Sequence, residues 1–512
     1  MNSFISKSKI NIAGCIPRAI VMGAWNAPYM VFIAWKNKWN KNLFVAALAV
    51  ALTGCSLIPE YLRPAAPVSA AWPDSAKPGG TRRVEGIVWQ QYFSDLRLQA
   101  LIAAALKNNR DLRIATARIA EARAQYGIQQ ADRLPNFNLN AGRNASLTPA
   151  GTSITGRAIN TERYDVSVGL VSFELDFWGR INSLNVAAKA SYLATEAAQH
   201  AFRLSLIADV ANAYLSLLEM RERIQLTEAT ARTRAETREL ILRRRDLGVS
   251  SDLDYLQADG AFQATLAEHA NLERQQAAAE NLLNLLVGQS MAEMKNLPAG
   301  NGLAMQEINP DLIAGLPAEV LLQRPDVLAA EQKLIAANAN IGAARAAFFP
   351  RITLTGSAGT ASRTLTGLFD TGSGAWSFQP AISLPLFDAG RTSANADVAE
   401  ARKIIAVAEY EKIIQQAFRE VADLLNARET LASQLAAQQA NADAQNQRLR
   451  LVEARYGVGM ISHLEVLDAQ RESYAAQQGV LQVRRTVLSV AAQLYKALAG
   501  QSVPGGQHEA VK

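Results

Sequence analysis

Acid–base, metal and nucleophile chemistry each need a few side-chain types brought close together, and in this 512-residue sequence those types are thinly spread. The four histidines, His200, His269, His463 and His508, lack the short spacings of metal ligands. Cys15 and Cys55 both fall in the first eighth of the chain, so no disulfide framework is expected. No phosphate-binding glycine loop and no GxSxG turn occurs. The expectation is a chain that is not an enzyme and holds no cofactor or metal. Two features remain with chemical content. Cys55 ends the apolar stretch "AALAVALTGC", and Glu465 and Asp468 in "HLEVLDAQR" are three apart, neighbours on one face of a helix.

The run Leu43–Leu52 has about ten residues, too short to span a bilayer but the length of a signal-peptide apolar region, with Lys36, Lys38 and Lys41 just upstream. Leu52-Thr53-Gly54-Cys55 resembles the bacterial lipobox. The resemblance implies cleavage before Cys55, an S-diacylglycerol group on its sulfur and an N-acyl chain on its new amine. Ser56, where an Asp would resemble an inner-membrane retention signal, points to the outer membrane. Residues 1–54 are thus expected to be a signal peptide with an N-terminal extension that a lipoprotein leader does not need, since a start at Met30 would give a leader of ordinary length. They hold Lys7, Lys9, Arg18, Lys36, Lys38 and Lys41 and no acid, so without them the chain has as many basic as acidic residues, 46 of each. The basic balance therefore belongs to the leader, and nucleic acid is not an expected partner.

The chain is written twice. "LIAAALKNNRDLRIATARIAEARAQYGIQQADRLPNFNL" from Leu101 matches "LPAEVLLQRPDVLAAEQKLIAANANIGAARAAFFPRITL" from Leu316 without a gap. A shift of 215 carries Asp111 to Asp326, Gly127 to Gly342 and Pro135 to Pro350. Further on the shift is 211, carrying Gly179-Arg180 to Gly390-Arg391 and Gly248 to Gly459. The difference falls in the Gly/Ser/Thr-rich part of each unit, where a surface loop varies. The expected domains are an extended lipidated arm at 55–100, a first repeat at 101–300, a second at 301–500 and a tail at 501–512.

Each repeat begins with a helical rhythm (Leu112, Ala115, Ile119, Ala122) that ends before a proline. The period then falls to two. Strands are expected at about 136–142 and 164–177, and again at 351–358 and 376–387, long enough to cross an outer membrane when tilted. Pro380 and Pro385 place the end of the last segment at a bend or strand end. Helix returns from about Ser183 to Leu247 and from Ser393 to Val458, with no proline in either span. Gly248 and Gly459 then mark the turns of helical hairpins, at tips of about 244–254 and 455–468.

Four strands cannot close a barrel, and open strand edges in lipid leave backbone groups unpaired at several kcal/mol each. The chain is therefore expected to pool strands with other copies. The double unit, "GCSLIPEYLRPAAP", the "ELDFWGR"/"LPLFDAGR" pair, "ANIGAARAAFFPRITLTGS" and the closing "LYKALAG" resemble the outer-membrane factors of bacterial efflux systems, in the OprM/NodT lipoprotein branch of the TolC-like family. That implies a mixed, mainly α fold. A homotrimer would build a twelve-stranded outer-membrane β-barrel, continued by a long periplasmic α-helical barrel. It also implies a passive exit duct for small molecules, a periplasmic adaptor and an inner-membrane resistance-nodulation-division pump as partners, and outer-membrane lipid around the barrel. Two rivals are a protein-secretion duct of the same architecture and a periplasmic helical scaffold lipoprotein without a pore.

The resemblance further implies roles for individual residues. Arg244, Gly248, Ser251 and Leu253 on the first tip, and Arg455, Gly459, Ser462 and Leu464 on the second, would meet the adaptor. Turn chemistry alone also explains the glycines and serines. Arg245 stands in the first tip where Tyr456 stands in the second, so the tips are not expected to be equivalent. Tyr456 would help hold the tip closed. Glu465 and Asp468 would point into the closed aperture, where threefold symmetry gathers six carboxylates into a cation-favouring ring with raised pKa values. The bland alternative is a solvated helix face paired with Arg471 or another arginine.

Overall fold

The computed structural model describes residues 56–69, 72, 82–83, 88–294, 297–306, 308, 312–313 and 321–498. Cys55, and with it the leader and the lipidation expected at that cysteine, lies outside the described residues. In chain order the elements are β1 (Arg82–Arg83), α1 (Leu96–Asn108), α2 (Arg110–Ala131), β2 (Phe137–Thr148), β3 (Ile159–Glu174), α3 (Arg180–Asp246), α4 (Asp252–Val287), β4 (Leu312–Ile313), α5 (Pro325–Ala346), β5 (Arg351–Ser362), β6 (Gly374–Ser383), α6 (Arg391–Gly457) and α7 (His463–Leu498). The short β1 and β4 pair in parallel. The duplication is visible in the lengths: α3 and α6 have 67 residues each, and α4 and α7 have 36 each. At ~1.5 Å rise the long helices run about 100 Å.

The residues group into two compact units. One contains the described residues up to Tyr61, Tyr126–Ala188 and Ala336–Lys403. It holds an antiparallel sheet in the order β2-β3-β5-β6. The registers put one row of apolar side chains after another on a single face. Phe137, Leu170, Gly356 and Phe378 form one row, and Leu139, Val168, Ala358 and Trp376 the next. The band runs from Ile352–Ile382 to Ala141–Val166–Thr360. That is eight steps along β5 at ~3.4 Å each, or about 27 Å, near the apolar height of an outer-membrane barrel once tilted. Above it on the same face Arg143 lies 5.7 Å over the Tyr164 ring and 3.2 Å from Glu162. Asn138, Asn140, Ser167, Ser357 and Ser377 occupy the opposite face.

The strands differ from their expected bounds for identifiable reasons. β3 runs from Ile159 to Glu174, and a bulge between Leu170 and Phe173, with Ser172 at φ 49°, swaps the side-chain parity within it. The swap keeps Phe173 beside Leu354 on the apolar face. β6 ends at Ser383, and Leu386 and Phe387 beyond it are about 90% and 91% exposed. Pro380 pairs with Leu354 inside β6 instead of lying past the strand end. Within the single chain β6 is the edge of the sheet, where a residue without an N–H is tolerated. Arg180 and Arg351 both engage the carboxylate of Glu174, at 2.7 and 2.6 Å, where β3 gives way to α3. Gly179 and Gly390, at φ 68° and 85°, allow the chain to turn into α3 and α6.

The first described residues are held by α5. Pro59 accepts a hydrogen bond from the Asn338 amide at 2.7 Å, and Ile58 lies where a Cβ on Gly342 would be, 2.7 Å away. The twin Gly127 has open space. Only the second repeat makes room for the arm.

The other unit contains Leu62–Gln125, Lys189–Ile335 and the described residues from Ile404 onward. Its core gathers Tyr92, Phe93, Leu98, Leu101, Ile102, Ile207, Tyr214, Leu217 and Tyr495. Asp95, buried here, caps α1 through Arg97 N at 2.7 Å and accepts from the Tyr214 hydroxyl at 3.0 Å. The helix α3 contains a window apolar enough to cross a membrane, but 61% of it is buried in protein, as suits a core helix. The repeats dock alike. Asn109 donates to the Leu286 carbonyl at 2.8 Å, and at the same place in the second repeat Arg324 donates to the Ala497 carbonyl at 3.2 Å. The pairs 109/324 and 286/497 are related by the two sequence shifts.

Candidate functional site at the hairpin tips

Both hairpins turn by the same backbone device. At the first, Val249 N bonds Arg244 O at 2.9 Å and Gly248 N bonds Arg245 O at 2.8 Å. At the second, Met460 N bonds Arg455 O and Gly459 N bonds Tyr456 O, both at 3.0 Å. These are Schellman closures, and they need the left-handed backbone that Gly248 and Gly459 supply at φ 75° and 77°. The returning helices share the acid side of a cap. Ser251 and Asp254 form a reciprocal box, and Ser462 donates through N and Oγ to Glu465 Oε1 at 3.4 and 3.3 Å. Asp254 and Glu465 are twins under the 211 shift, so the acid at this position has a capping task in each repeat.

Asp468 has different surroundings. Its carboxylate takes a hydrogen bond from Arg448 on α6 and another from Arg471 on α7, each at 2.7 Å. Arg448 bonded to it, with Arg471 beside it, holds the Asp468 carboxyl below the usual carboxylate range. Within the single chain this is the opposite direction from the raised values expected of a crowded ring, and it corresponds to the arginine-paired alternative. With Arg448, Arg471, Thr265 and Glu268, the acidic pair lines a groove of about 830 Å³ between the two hairpins.

The tips differ where Arg245 replaces tyrosine. Arg245 pairs with Asp246 at 2.8 Å and stacks 4.7 Å from the Tyr255 ring centre. Tyr456 instead receives Arg244 of the first tip, by a hydroxyl bond at 3.0 Å and with the guanidinium 5.4 Å over its ring. Sequence reasoning placed both residues at the tips but missed that they join them. It also missed Arg448, although a hairpin folded about Gly459 sets residues roughly equidistant from the glycine opposite each other. Around both glycines exposed apolar side chains stand among polar ones: Leu247, Val249 and Leu253 on the first tip, Val458, Met460 and Leu464 on the second.

The family model for outer membrane efflux proteins matches residues 101–289 and 316–500. The chain is 45% identical to the solvent efflux pump outer membrane protein SrpC of Pseudomonas putida, over 90% of this chain and 98% of that one. It is 43% identical to outer membrane protein OprJ of Pseudomonas aeruginosa, over 89% and 95%. Among solved structures it resembles a membrane protein from Pseudomonas aeruginosa with a TM-score of 0.80 at 42% identity, covering 87% of this chain and 100% of that one. It also resembles the open state of the Neisseria gonorrhoeae MtrE outer membrane channel, with a TM-score of 0.79 at 38% identity, covering 88% and 98%. Twinned repeats, a one-faced four-stranded sheet and paired helical hairpins are thus those of a TolC-like outer-membrane channel, and the chain belongs to the outer membrane efflux protein family.

Proposed function

We propose that the protein is the passive exit duct of a tripartite pump, in which three copies pool their strands into a twelve-stranded barrel. The carrying observation is the sheet: all four strands turn their apolar residues to one face, while the outer edges of β2 and β6 have no partner among the described residues. An apolar outside suits lipid, and two open edges suit closure by neighbouring copies. Energy and choice of cargo would come from an inner-membrane resistance-nodulation-division pump through a periplasmic adaptor, with no chemistry in the duct. The name of one relative, a solvent efflux pump protein, favours small apolar or toxic molecules as cargo over proteins.

The exposed apolar tips around Gly248 and Gly459, with Arg244, Ser251, Leu253, Arg455, Ser462 and Leu464, are the surface offered to the adaptor. Tyr456, Glu465 and Asp468 form the periplasmic gate, held shut in each chain by Arg244 and Arg448. Cys55 carries the lipid chains that tether the duct. Native mass spectrometry of the detergent-extracted mature protein tests the assembly. A trimer with lipid mass on its first residue is expected; a monomer would overturn the pooled barrel.

A further inference from the structure

His463 begins α7 directly behind the second tip, and its side chain is the buried one among that tip's polar groups, 5% exposed. Neither ring nitrogen has a hydrogen-bond partner among the described residues. The ring centre lies 5.6 Å from that of Tyr456 on α6, the residue that holds Arg244. The charged groups facing it are Arg244 from α3 and Asp254 from α4, while Glu465 on its own helix is committed to Ser462. Asp254 is itself occupied by Ser250 and Ser251, which explains why it leaves the imidazole unbonded.

On the duct reading above, we propose that His463 is the positioning residue of the gate: its neutral ring seats Tyr456 under Arg244, and its protonation releases that contact. A proton on the ring places an imidazolium beside the guanidinium that shares Tyr456, and like charges within one contact repel. The same imidazolium attracts Asp254, drawing it from the box that starts α4. The first change loosens the contact that joins the tips, and the second loosens the start of the first tip's returning helix. The sign follows from the site. Burial disfavours the charged ring and, with Arg244, outweighs Asp254, so its pKa lies below the ordinary 6.5. A group depressed in this way leaves the closed packing intact above about pH 6.5 and weakens it as pH falls towards the depressed value. Acid therefore favours the open tip. A duct coupled to a pump that draws protons from the periplasm would loosen under the condition that powers the pump.

The test is the open probability of the purified trimer in planar bilayers, from about pH 7.5 to about pH 5.5. A severalfold rise is expected in the wild type and a flat profile in His463→Gln, whatever that variant's baseline. Arg244→Gln removes the repelled cation, so its baseline should be higher and its acid response smaller, which keeps the test decisive if the histidine variant assembles poorly. An equal acid response in wild type and His463→Gln would overturn the proposal and assign the effect to another group. A wild type that conducts but ignores pH would overturn it while leaving the duct standing. Absence of conductance at every pH would remove the duct and the latch together.

Discussion

Substitution of Gly359 by valine is expected to lower the amount of assembled trimer in the outer membrane by more than about tenfold, since a clash of this kind costs about 3 kcal/mol. The cause is in the ladder. Gly359 sits in β5 opposite Ser167, and a Cβ there would stand 2.0 Å from the Val166 carbonyl oxygen and 2.5 Å from the Ser167 Cα. Both are backbone atoms that cannot step aside without separating β3 from β5. Gly374, at the start of β6, has nothing within 4 Å of its missing Cβ, so Gly374→Ala should assemble normally. The fraction of heat-dissociable trimer on unheated gels separates the two. Wild-type levels of Gly359→Val trimer would mean that β3 and β5 do not approach as closely as described.

Arg324→Ala should be nearly as damaging by a different route. The guanidinium is buried and bonded to Asp326 at 2.8 Å, Glu420 at 2.7 Å and the Ala497 carbonyl at 3.2 Å. Removing it leaves two half-exposed carboxylates without their shared cation and a buried carbonyl without its donor, which costs about 2 kcal/mol after solvent screening of the carboxylates, with Glu420 keeping Lys496 at 3.6 Å. Burial would raise the Asp326 pKa, but Arg324 beside it holds the carboxyl below its usual range. That share of stability is present at neutral pH and lost as pH falls through the depressed value. Thermal unfolding of the mature protein at neutral pH should show a lower midpoint in Arg324→Ala. In acid, where Asp326 is protonated in both proteins, the gap should narrow.

What the sequence disclosed was what repeats or alternates. The two shifts located both hairpin glycines, and the change from a period of three and four to a period of two located all four strands. The β3 bulge was legible as a change of parity, from Val166, Val168 and Leu170 to Val171, Phe173 and Leu175, but only the pairing with β5 shows that one strand runs through it. At the tips, glycine and serine announced the turn and the caps. The Arg244–Tyr456 and Arg448–Asp468 contacts stayed hidden because each depends on how two helices lie against one another. Nothing in "ISHLEV" reveals that Tyr456 on α6 lies against the His463 ring. The acid of Glu465 looked functional, yet its twin Asp254 shows a capping reason for it that a capping-box reading of "SHLE" supplies.

The most direct test of the account is single-channel conductance of the mature protein beside a Glu465→Ala/Asp468→Ala variant, both as membrane-inserted trimers at neutral pH. A small conductance is expected in the wild type, with Tyr456 held by Arg244 of the first tip and Asp468 held by Arg448 within the second hairpin, and a larger one in the variant. Equal conductance in both would keep the pore and remove the acidic pair from the gate. No conductance from well-folded, inserted trimers would contradict the duct itself.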